Sequence, residues 1–308
     1  MKNKFILGTR GSLLALEQSE QFRQSLLKVH PQAQCEKKVI VTTGDQNTSQ
    51  KFSELGAKGV FTKELDEALL GGSIDFAVHS LKDLPSELPS GLTLACASAP
   101  KDERDAFLSL NHASMEQLPV GAKVGTSSLR RQALVRELYP KLQVCELRGN
   151  IDSRIEKLKK GQYDAILLAA AGTQRLGLTQ NVREYLDPKV FIPAIGQGVL
   201  GVVCRAKDQD TLGFLKPLND ANTWVSITAQ RLFMQMMEGG CQVPLGCYGV
   251  IRGSLLTLYG YLANVDATQV IREEVQGELT QALSLAKELS EKMNQQGAQG
   301  ILKKLRER

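Results

Sequence analysis

Short apolar runs alternate with longer amphipathic segments along most of the chain, and this alternation predicts its secondary structure. Apolar runs bounded by Gly, Pro, Asp or Ser are typical of buried strands. The predicted strands are Lys4–Gly8, Lys37–Thr42, Phe76–His79, Leu92–Ala97, Lys123–Gly125, Gln143–Leu147, Ala165–Ala169 and Gly201–Cys204. Apolar residues at helical spacing predict helices over Leu13–Val29, Lys63–Leu70, Leu129–Leu138 and Ile151–Lys160. Strands that alternate with helices indicate an α/β protein with a mostly parallel sheet.

The pattern changes after Leu218, where a third region begins. A helical pattern covers Thr223–Met237, polar and apolar residues alternate over Ser254–Leu262, and a long amphipathic segment covers Leu279–Met293. This order of helix, strand and helix predicts a smaller α+β domain at the carboxyl end of the chain.

Two segments have the composition of crossings between domains. Ala99–Arg104 is polar and contains a proline, and Pro193–Gly198 is rich in glycine. A chain that leaves one α/β domain and later returns to it forms two lobes, with a cleft at the carboxyl ends of the strands. We therefore expect two hinged lobes with mixed sheets, as in periplasmic binding proteins, followed by the α+β domain. The predicted domains are residues 1–98 with 199–218, residues 103–194, and residues 221–308.

Composition and charge exclude several classes of protein. The chain has 308 residues, of which 42% are hydrophobic and 23% charged, as in a globular protein. A net charge of +5 is too small by itself to indicate nucleic-acid binding. The six cysteines have no CxxC spacing, so we expect neither a metal site nor a redox motif. With no signal peptide and no apolar run long enough to span a membrane, we expect a reduced cytoplasmic protein.

Cations cluster at three predicted strand-to-helix turns. The turns are Thr9-Arg10-Gly11-Ser12, Thr126-Ser127-Ser128-Leu129-Arg130-Arg131 and Leu147-Arg148-Gly149-Asn150-Ile151-Asp152-Ser153-Arg154. Free N–H groups at the start of a helix attract anions, and arginine adds a planar donor for carboxylate or phosphate. Any one of these arginines could equally be a solvated surface charge. Their recurrence at equivalent turns favours a ligand with several anionic groups.

A carboxylate follows another predicted strand, in the run His79-Ser80-Leu81-Lys82-Asp83-Leu84-Pro85. Asp83 would lie at the carboxyl end of the strand, where it could stabilise positive charge or move a proton. Asp-Leu-Pro is also a common turn sequence, so a purely structural role stays open. We interpret His79 as a hydrogen-bonded packing residue and assign it no catalytic role.

Cys241 lies in the run Glu238-Gly239-Gly240-Cys241-Gln242-Val243-Pro244. The two glycines before it remove the Cβ atoms that would crowd the sulfur, which favours an accessible thiol and a covalent attachment point. A small buried residue beside a turn is the alternative.

Together these segments resemble the porphobilinogen deaminase family. The motifs that carry the resemblance occur in family order over nearly the whole chain. They are Thr9-Arg10-Gly11-Ser12, Lys58-Gly59-Val60-Phe61-Thr62-Lys63-Glu64, Val78-His79-Ser80-Leu81-Lys82-Asp83-Leu84-Pro85, Val124-Gly125-Thr126-Ser127-Ser128-Leu129-Arg130-Arg131, Leu147-Arg148-Gly149-Asn150, Tyr163-Asp164-Ala165-Ile166 and Glu238-Gly239-Gly240-Cys241-Gln242-Val243-Pro244. Glu54 departs from the lysine found in many relatives.

The resemblance implies a monomeric transferase that condenses four porphobilinogen molecules head to tail, releasing ammonia and forming hydroxymethylbilane for tetrapyrrole and haem synthesis. It implies a dipyrromethane cofactor attached to Cys241 through a thioether, and Asp83 as the catalytic residue. The implied cofactor contacts are Ser80, Lys82, Thr126, Ser128, Arg130, Arg131, Arg148 and Gly172. The implied substrate contacts are Arg10, Ser12, Gln18, Lys58, Arg148, Arg154, Arg175 and Gln197.

Two other classes share some of these features. A non-catalytic solute-binding or sensor module would have the two lobes and their arginines, but it has no need for the Gly-Gly-Cys run. A cysteine hydrolase could use Cys241, but the sequence offers no convincing His and Asn partners.

Overall fold

The computed structural model describes residues 2–42, 62–237 and 243–307. Within it the chain divides into unit 1, Met1–Lys101 with Gly198–Trp224, and unit 2, Asp102–Gln197 with Val225–Arg308. Two of the three passages between the units, at residues 101–102 and 197–198, fall inside the segments predicted to cross, and the third is at residues 224–225. The carboxyl-terminal region groups with residues 102–197 in this division, and the three predicted domains stay a prediction.

Unit 1 is built around a five-stranded mixed sheet. Its strands, numbered in chain order, are β1 (Lys4–Thr9), β2 (Gln34–Val39), β3 (Phe76–Ser80), β4 (Leu92–Ala97) and β10 (Leu200–Arg205), in the order β2-β1-β3-β10-β4. Its helices are α1 (Leu13–Val29), α2 (Lys63–Leu70) and α6 (Gln209–Leu215). Along β10, Val202 packs in the same cluster as Phe22 of α1, while Val203 packs in the cluster of Leu65 of α2. Helices thus cover both faces, which explains the continuous apolar runs.

Unit 2 contains a second sheet of the same design. Its strands are β5 (Asp105–Ser109), β6 (Lys123–Gly125), β7 (Gln143–Cys145), β8 (Ala165–Ala169) and β9 (Val182–Tyr185), in the order β7-β6-β8-β5-β9. Its helices are α3 (Leu129–Leu138), α4 (Ile151–Lys159) and α5 (Ala170–Arg175). Each of these helices begins within a few residues of the end of β6, β7 or β8, so three helix amino termini lie at one edge of the sheet.

The carboxyl-terminal part of unit 2 has a three-stranded antiparallel sheet and helices. It consists of α7 (Ala221–Met236, which begins in unit 1), β11 (Leu245–Arg252), β12 (Leu255–Ala263), β13 (Val270–Glu278), α8 (Ala282–Gln295) and α9 (Ala298–Arg306). Tyr261 and Ala263 of β12 share a core with Phe191 and Ile192. A bidentate ion pair joins Arg272 of β13 to Glu137 of α3 at 2.9 and 3.0 Å. This shared core explains why the region groups with residues 102–197.

Most predicted elements lie where the structure has them, and the errors have physical causes. The helices α1, α2 and α3 and the strands β4, β6 and β8 have the predicted bounds. The strand predicted over Lys37–Thr42 is wrong by three residues, because β2 pairs with β1 at the sheet edge from Gln34 onward. The apolar residues that suggested the later position, Val39 and Val41, are exposed. The predicted strand ending at Leu147 ends at Cys145 instead.

Both sheets are mixed, as predicted, and four of the five strands in each sheet run in the same direction. In unit 1, β10 pairs antiparallel with β3 and β4, and in unit 2, β5 pairs antiparallel with β8 and β9. Both β10 and β5 follow a passage from the other unit, and each runs against the other four strands of its sheet. The strands β5, β9, β11 and β13 were not predicted from the sequence. Among the described residues, no helix has the length and apolar character needed to cross a membrane.

Candidate active site

A pocket in unit 1 forms where β1 and β3 end. These strands are parallel neighbours, so the turn from β1 into α1 and the 3₁₀ turn Leu81–Asp83 after β3 lie at the same edge of the sheet. The pocket is lined by Arg10, Ser12, Leu14, Ala15, Gln18, Thr62, Val78, His79, Ser80 and Asp83. Five of the predicted site residues therefore lie around one pocket, and Lys82 lies in the same turn.

Hydrogen bonds hold the walls of this pocket in place. Ser12 caps α1, accepting a hydrogen bond from the backbone N–H of Ala15 at 3.4 Å. The Gln18 Nε2 donates to Ser80 Oγ at 2.8 Å, which joins α1 to the end of β3. The backbone N–H of Leu81 donates to the Val199 carbonyl at 3.0 Å and fixes the 3₁₀ turn. Asp83 is exposed at the end of that turn, where its carboxylate can meet a ligand.

His79 is a buried, neutral member of the same pocket. Burial, with a smaller effect from Arg10, lowers its pKa to about 4. Its Nε2 is buried and has no hydrogen-bond partner among the described residues. The predicted packing position is therefore observed, while the hydrogen bond expected for it is not observed at Nε2.

In unit 2, four of the predicted arginines lie at or near the amino termini of α3 and α4, and Arg175 lies in the last turn of α5. Ser128 caps α3, accepting a hydrogen bond from the backbone N–H of Arg131 at 3.4 Å. Thr126 is buried just before it, and its Oγ1 accepts from the backbone N–H of Ser128 at 3.2 Å. The positive end of each helix dipole points to this edge, so the edge favours anions.

Arg130 and Arg131 form a buried cluster with Asp105, the first residue of β5. Arg131 donates to Asp105 Oδ1 through Nε at 2.9 Å and Nη2 at 2.7 Å, and Arg130 Nη1 donates to Oδ2 at 2.8 Å. Burial opposes the Asp105 charge, but the two guanidinium groups outweigh it and lower the Asp105 pKa. Asp105 was not among the residues predicted from the sequence. Two consecutive arginines in an apolar region need a buried counter-charge, and that need was the available signal.

Gln197, a predicted substrate contact, belongs to this cluster. Its Nε2 donates to Asp105 Oδ1 at 2.9 Å and to the carbonyls of Glu103 and Arg104 at 2.9 and 3.2 Å. The side chain is buried. Gln197 therefore connects the point where the chain first enters unit 2 to the point where it leaves for unit 1.

Arg148 and Arg154 flank Gly149 at the start of α4. Arg148 is half-buried and pairs with Glu146 at 2.5 Å, while Arg154 donates through Nε to the Gly149 carbonyl at 2.7 Å. Gly149 has a φ of +108°, and a Cβ there would lie 2.2 Å from Ser153 Oγ. This turn therefore requires glycine. Because Arg154 is bonded to the Gly149 carbonyl, the turn also keeps Arg154 close to the backbone next to Arg148.

The remaining predicted residues of unit 2 lie on α5. Gly172 is buried within the helix, and Arg175 is half-buried in its last turn. Burial lowers the Arg175 pKa to about 10. Two further predicted site residues, Cys241 and Lys58, lie outside the described residues. The segment that holds Cys241 follows Met237 and precedes Val243, and both of these residues pack in or against the carboxyl-terminal core.

Comparison with known proteins identifies the family. The chain matches the model of the "porphobilinogen deaminase, dipyromethane cofactor binding domain" over residues 5–213 and that of the "porphobilinogen deaminase, C-terminal domain" over residues 224–295. The porphobilinogen deaminase of Staphylococcus carnosus (strain TM300) is 44% identical over 306 residues, covering 99% of both chains. That of Macrococcus caseolyticus (strain JCSC5402) is 43% identical over 303 residues, covering 98% of both.

A solved structure of the methionine binding protein MetQ has a TM-score of 0.46 and 14% identity, covering 72% of this chain and 92% of that chain. This similarity is too weak to support a conclusion. The two family models and the full-length relatives are sufficient by themselves. The chain belongs to the porphobilinogen deaminase family.

Proposed function

We propose that this chain joins four porphobilinogen molecules head to tail on a covalently bound dipyrromethane, releasing ammonia and giving hydroxymethylbilane for tetrapyrrole and haem synthesis. The chain matches porphobilinogen deaminases over almost its whole length. The observation that carries the proposal is the unit 1 pocket, where an arginine, two serines and an exposed carboxylate meet. Such a set of groups suits a substrate that has carboxylate side chains and forms a cation during the reaction.

The residues of unit 2 fit a dipyrromethane, whose side chains are carboxylates. Arg130 Nε is buried and has no partner among the described residues, so it is a donor in need of an acceptor. The cluster around it holds two guanidinium groups and one carboxylate. Among the predicted contacts, Thr126, Ser128, Arg130, Arg131, Arg148 and Gly172 would hold the cofactor from this unit. Ser80 and Lys82 are the predicted contacts from unit 1, and Cys241 would be the attachment point.

When bound, the dipyrromethane supplies the pyrrole carbon from which the product is extended. We assign the chemistry at the substrate to Asp83. The C–N bond of the aminomethyl group breaks and nitrogen leaves as ammonia, which leaves a cationic carbon on the substrate. An adjacent carboxylate stabilises that charge. The same carboxylate can also accept the proton that is released once the new C–C bond has formed.

Arginines and hydroxyl groups would bind the carboxylates of the substrate and of the growing product. In unit 1 these are Arg10 and Ser12, with Gln18 holding Ser80. The predicted substrate contacts elsewhere are Lys58, Arg148, Arg154, Arg175 and Gln197. Planar guanidinium groups suit this role because they make two parallel hydrogen bonds to one carboxylate.

The intact mass of the denatured protein tests the proposal. We expect the purified protein to be heavier than its sequence by one dipyrromethane, and we expect Cys241→Ser to have the sequence mass. Incubation with porphobilinogen should release ammonia from the wild-type protein but not from the variant. An unmodified wild-type protein that releases no ammonia would fit a solute-binding module instead. An unmodified protein with hydrolytic activity that Cys241→Ser removes would fit a cysteine hydrolase.

We further propose that the protein works as a monomer in the cytoplasm, as the family resemblance implies. Light scattering of the loaded protein after size-exclusion chromatography tests the first point, since a monomer has a mass close to 33.7 kDa. Fractionation of cells that express the natural protein tests the second.

A further inference from the structure

The buried cluster of Asp105, Arg130 and Arg131 is short of negative charge. Arg130 and Arg131 are 3% and 5% exposed, and Asp105 is fully buried. The hydrogen bonds from the two arginines go to Asp105, to the Ile192 and Leu167 carbonyls, and weakly to Gln197. Among the described partners, one formal negative charge therefore faces two positive charges.

Such a cluster is not explained by stability. Burying a charge costs free energy unless it is paired, and a buried ion pair is at best a weak contribution to stability. The amino terminus of α3 adds further positive potential at the same place. Arg130 Nε is left without a partner in the described structure. A cluster selected for stability alone would be expected to balance these charges.

Asp105 determines where the two guanidinium groups point. Its Oδ1 accepts hydrogen bonds from both Nε and Nη2 of Arg131, which fixes the plane of that guanidinium group. Its Oδ2 accepts a hydrogen bond from Nη1 of Arg130. Gln197 holds the carboxylate in turn, through a 2.9 Å hydrogen bond to Oδ1. Because Asp105 begins β5 at the passage into unit 2, it connects the orientation of both arginines to the backbone of the sheet.

We propose that Asp105 is a positioning residue for cofactor binding, acting through Arg130 and Arg131. It holds both guanidinium groups at the amino terminus of α3 and leaves the cluster one negative charge short, and a carboxylate of the bound cofactor completes it. This inference rests on the proposed function, since it concerns how the dipyrromethane is held. It assigns to Asp105 no contact with substrate.

Intact mass and thermal unfolding of Asp105→Asn and Asp105→Glu test the proposal. The fraction of Asp105→Asn that carries the cofactor should fall at least tenfold, and Asp105→Glu should recover most of it, because the carboxylate is restored. Asp75→Asn is the matched control: Asp75 is also buried, at 5% exposed, and pairs with Arg205 in unit 1 at 3.1 Å. We expect this control to lose stability and to load normally.

A second comparison shows whether Asp105 acts through its arginine. Arg131→Gln should lower loading, and adding Asp105→Asn to it should lower loading little further, because the two residues act as one unit. Normal loading of Asp105→Asn would overturn the proposal. The proposal would also be overturned if Asp75→Asn and Asp105→Asn had the same thermal stability and lost cofactor loading to the same extent.

If Asp105→Asn does not fold, the cofactor loading of Arg131→Lys tests the proposal instead. This variant keeps the positive charge but loses the planar group that Asp105 holds, so loading should fall. Normal loading would overturn the proposal. Wild-type protein that carries no cofactor would overturn the proposed function, and this inference with it.

Discussion

Gln18 Nε2 donates a 2.8 Å hydrogen bond to Ser80 Oγ across the unit 1 pocket. Gln18 is buried on α1, which follows the turn that holds Arg10, and Ser80 ends β3, just before the turn that holds Asp83. This bond therefore fixes the distance between the elements next to these two residues. Sequence position alone gives no sign of the pair, because the residues are 62 positions apart.

Gln18→Ala should therefore impair catalysis more than folding. We expect kcat/KM for porphobilinogen to fall about tenfold, corresponding to ~1.4 kcal/mol, because Ser80 and the nearby ligand groups lose their relative position. Gln21→Ala is the control, since Gln21 lies on the same helix and donates to Glu17 at 2.7 Å outside the pocket lining. Equal effects of the two variants on kcat/KM would contradict the positioning role of Gln18.

Asp83→Asn should lower turnover without destabilising the folded protein. Asp83 is exposed at the end of its 3₁₀ turn, so the free energy of unfolding should change by less than about 0.5 kcal/mol. Cofactor loading should stay near the wild-type level. Turnover should fall by at least about a hundredfold, because one carboxylate both stabilises the cation and accepts the proton, and general acid–base catalysis typically contributes ~10²–10⁴-fold. Single-turnover ammonia release measures this loss. Glu87→Gln, an exposed carboxylate four residues away, is the control, and normal turnover of Asp83→Asn would exclude the proposed role.

His79 should make the protein sensitive to acid. Its pKa is lowered from 6.5 to about 4 in the folded chain, so between these pH values the unfolded state binds more protons. Stability therefore rises with pH across this window and is lost as pH falls through it. A shift of this size corresponds to ~3 kcal/mol. Urea unfolding at pH 7 and pH 4.5 should show a smaller loss for His79→Gln than for the wild type, and equal losses would contradict the buried neutral histidine.

Gly149→Ala should cost more stability than a change at another glycine of positive φ. Gly161 has a φ of +69° and open space where a Cβ would be, so Gly161→Ala should cost about 1–2 kcal/mol from backbone strain alone. A Cβ on Gly149 would also lie 2.2 Å from Ser153 Oγ, which donates to the Asn150 carbonyl at 2.9 Å. We expect about 1 kcal/mol of further loss in thermal unfolding and lower cofactor loading, because the turn carries Arg148. Equal stability of the two variants would show that Ser153 adjusts without cost.

The sequence predicted much of the fold because, in the two α/β units, the local spacing of apolar residues agrees with the helices that the structure contains. The spacing of apolar residues gave the bounds of α1, α2 and α3, since each helix buries one face against a sheet covered on both sides. Strand direction and pairing depend on residues far apart in the chain. This is why β5 and β9 were missed, why β2 was placed three residues late, and why the pattern does not show which strand of each sheet is antiparallel.

The same distinction between local and long-range properties applies to the candidate site. Motifs such as Leu81-Lys82-Asp83 and Ser127-Ser128-Leu129-Arg130-Arg131 identified the residue types, the turns and the family, because charge and capping preferences are local properties of the chain. Only the tertiary structure paired Gln18 with Ser80, enclosed His79 without a partner for Nε2, and placed one carboxylate, Asp105, between two buried arginines. Those relationships require contacts across many positions, and burial sets their energies, since charges and hydrogen bonds that are weak in water become decisive where water is excluded.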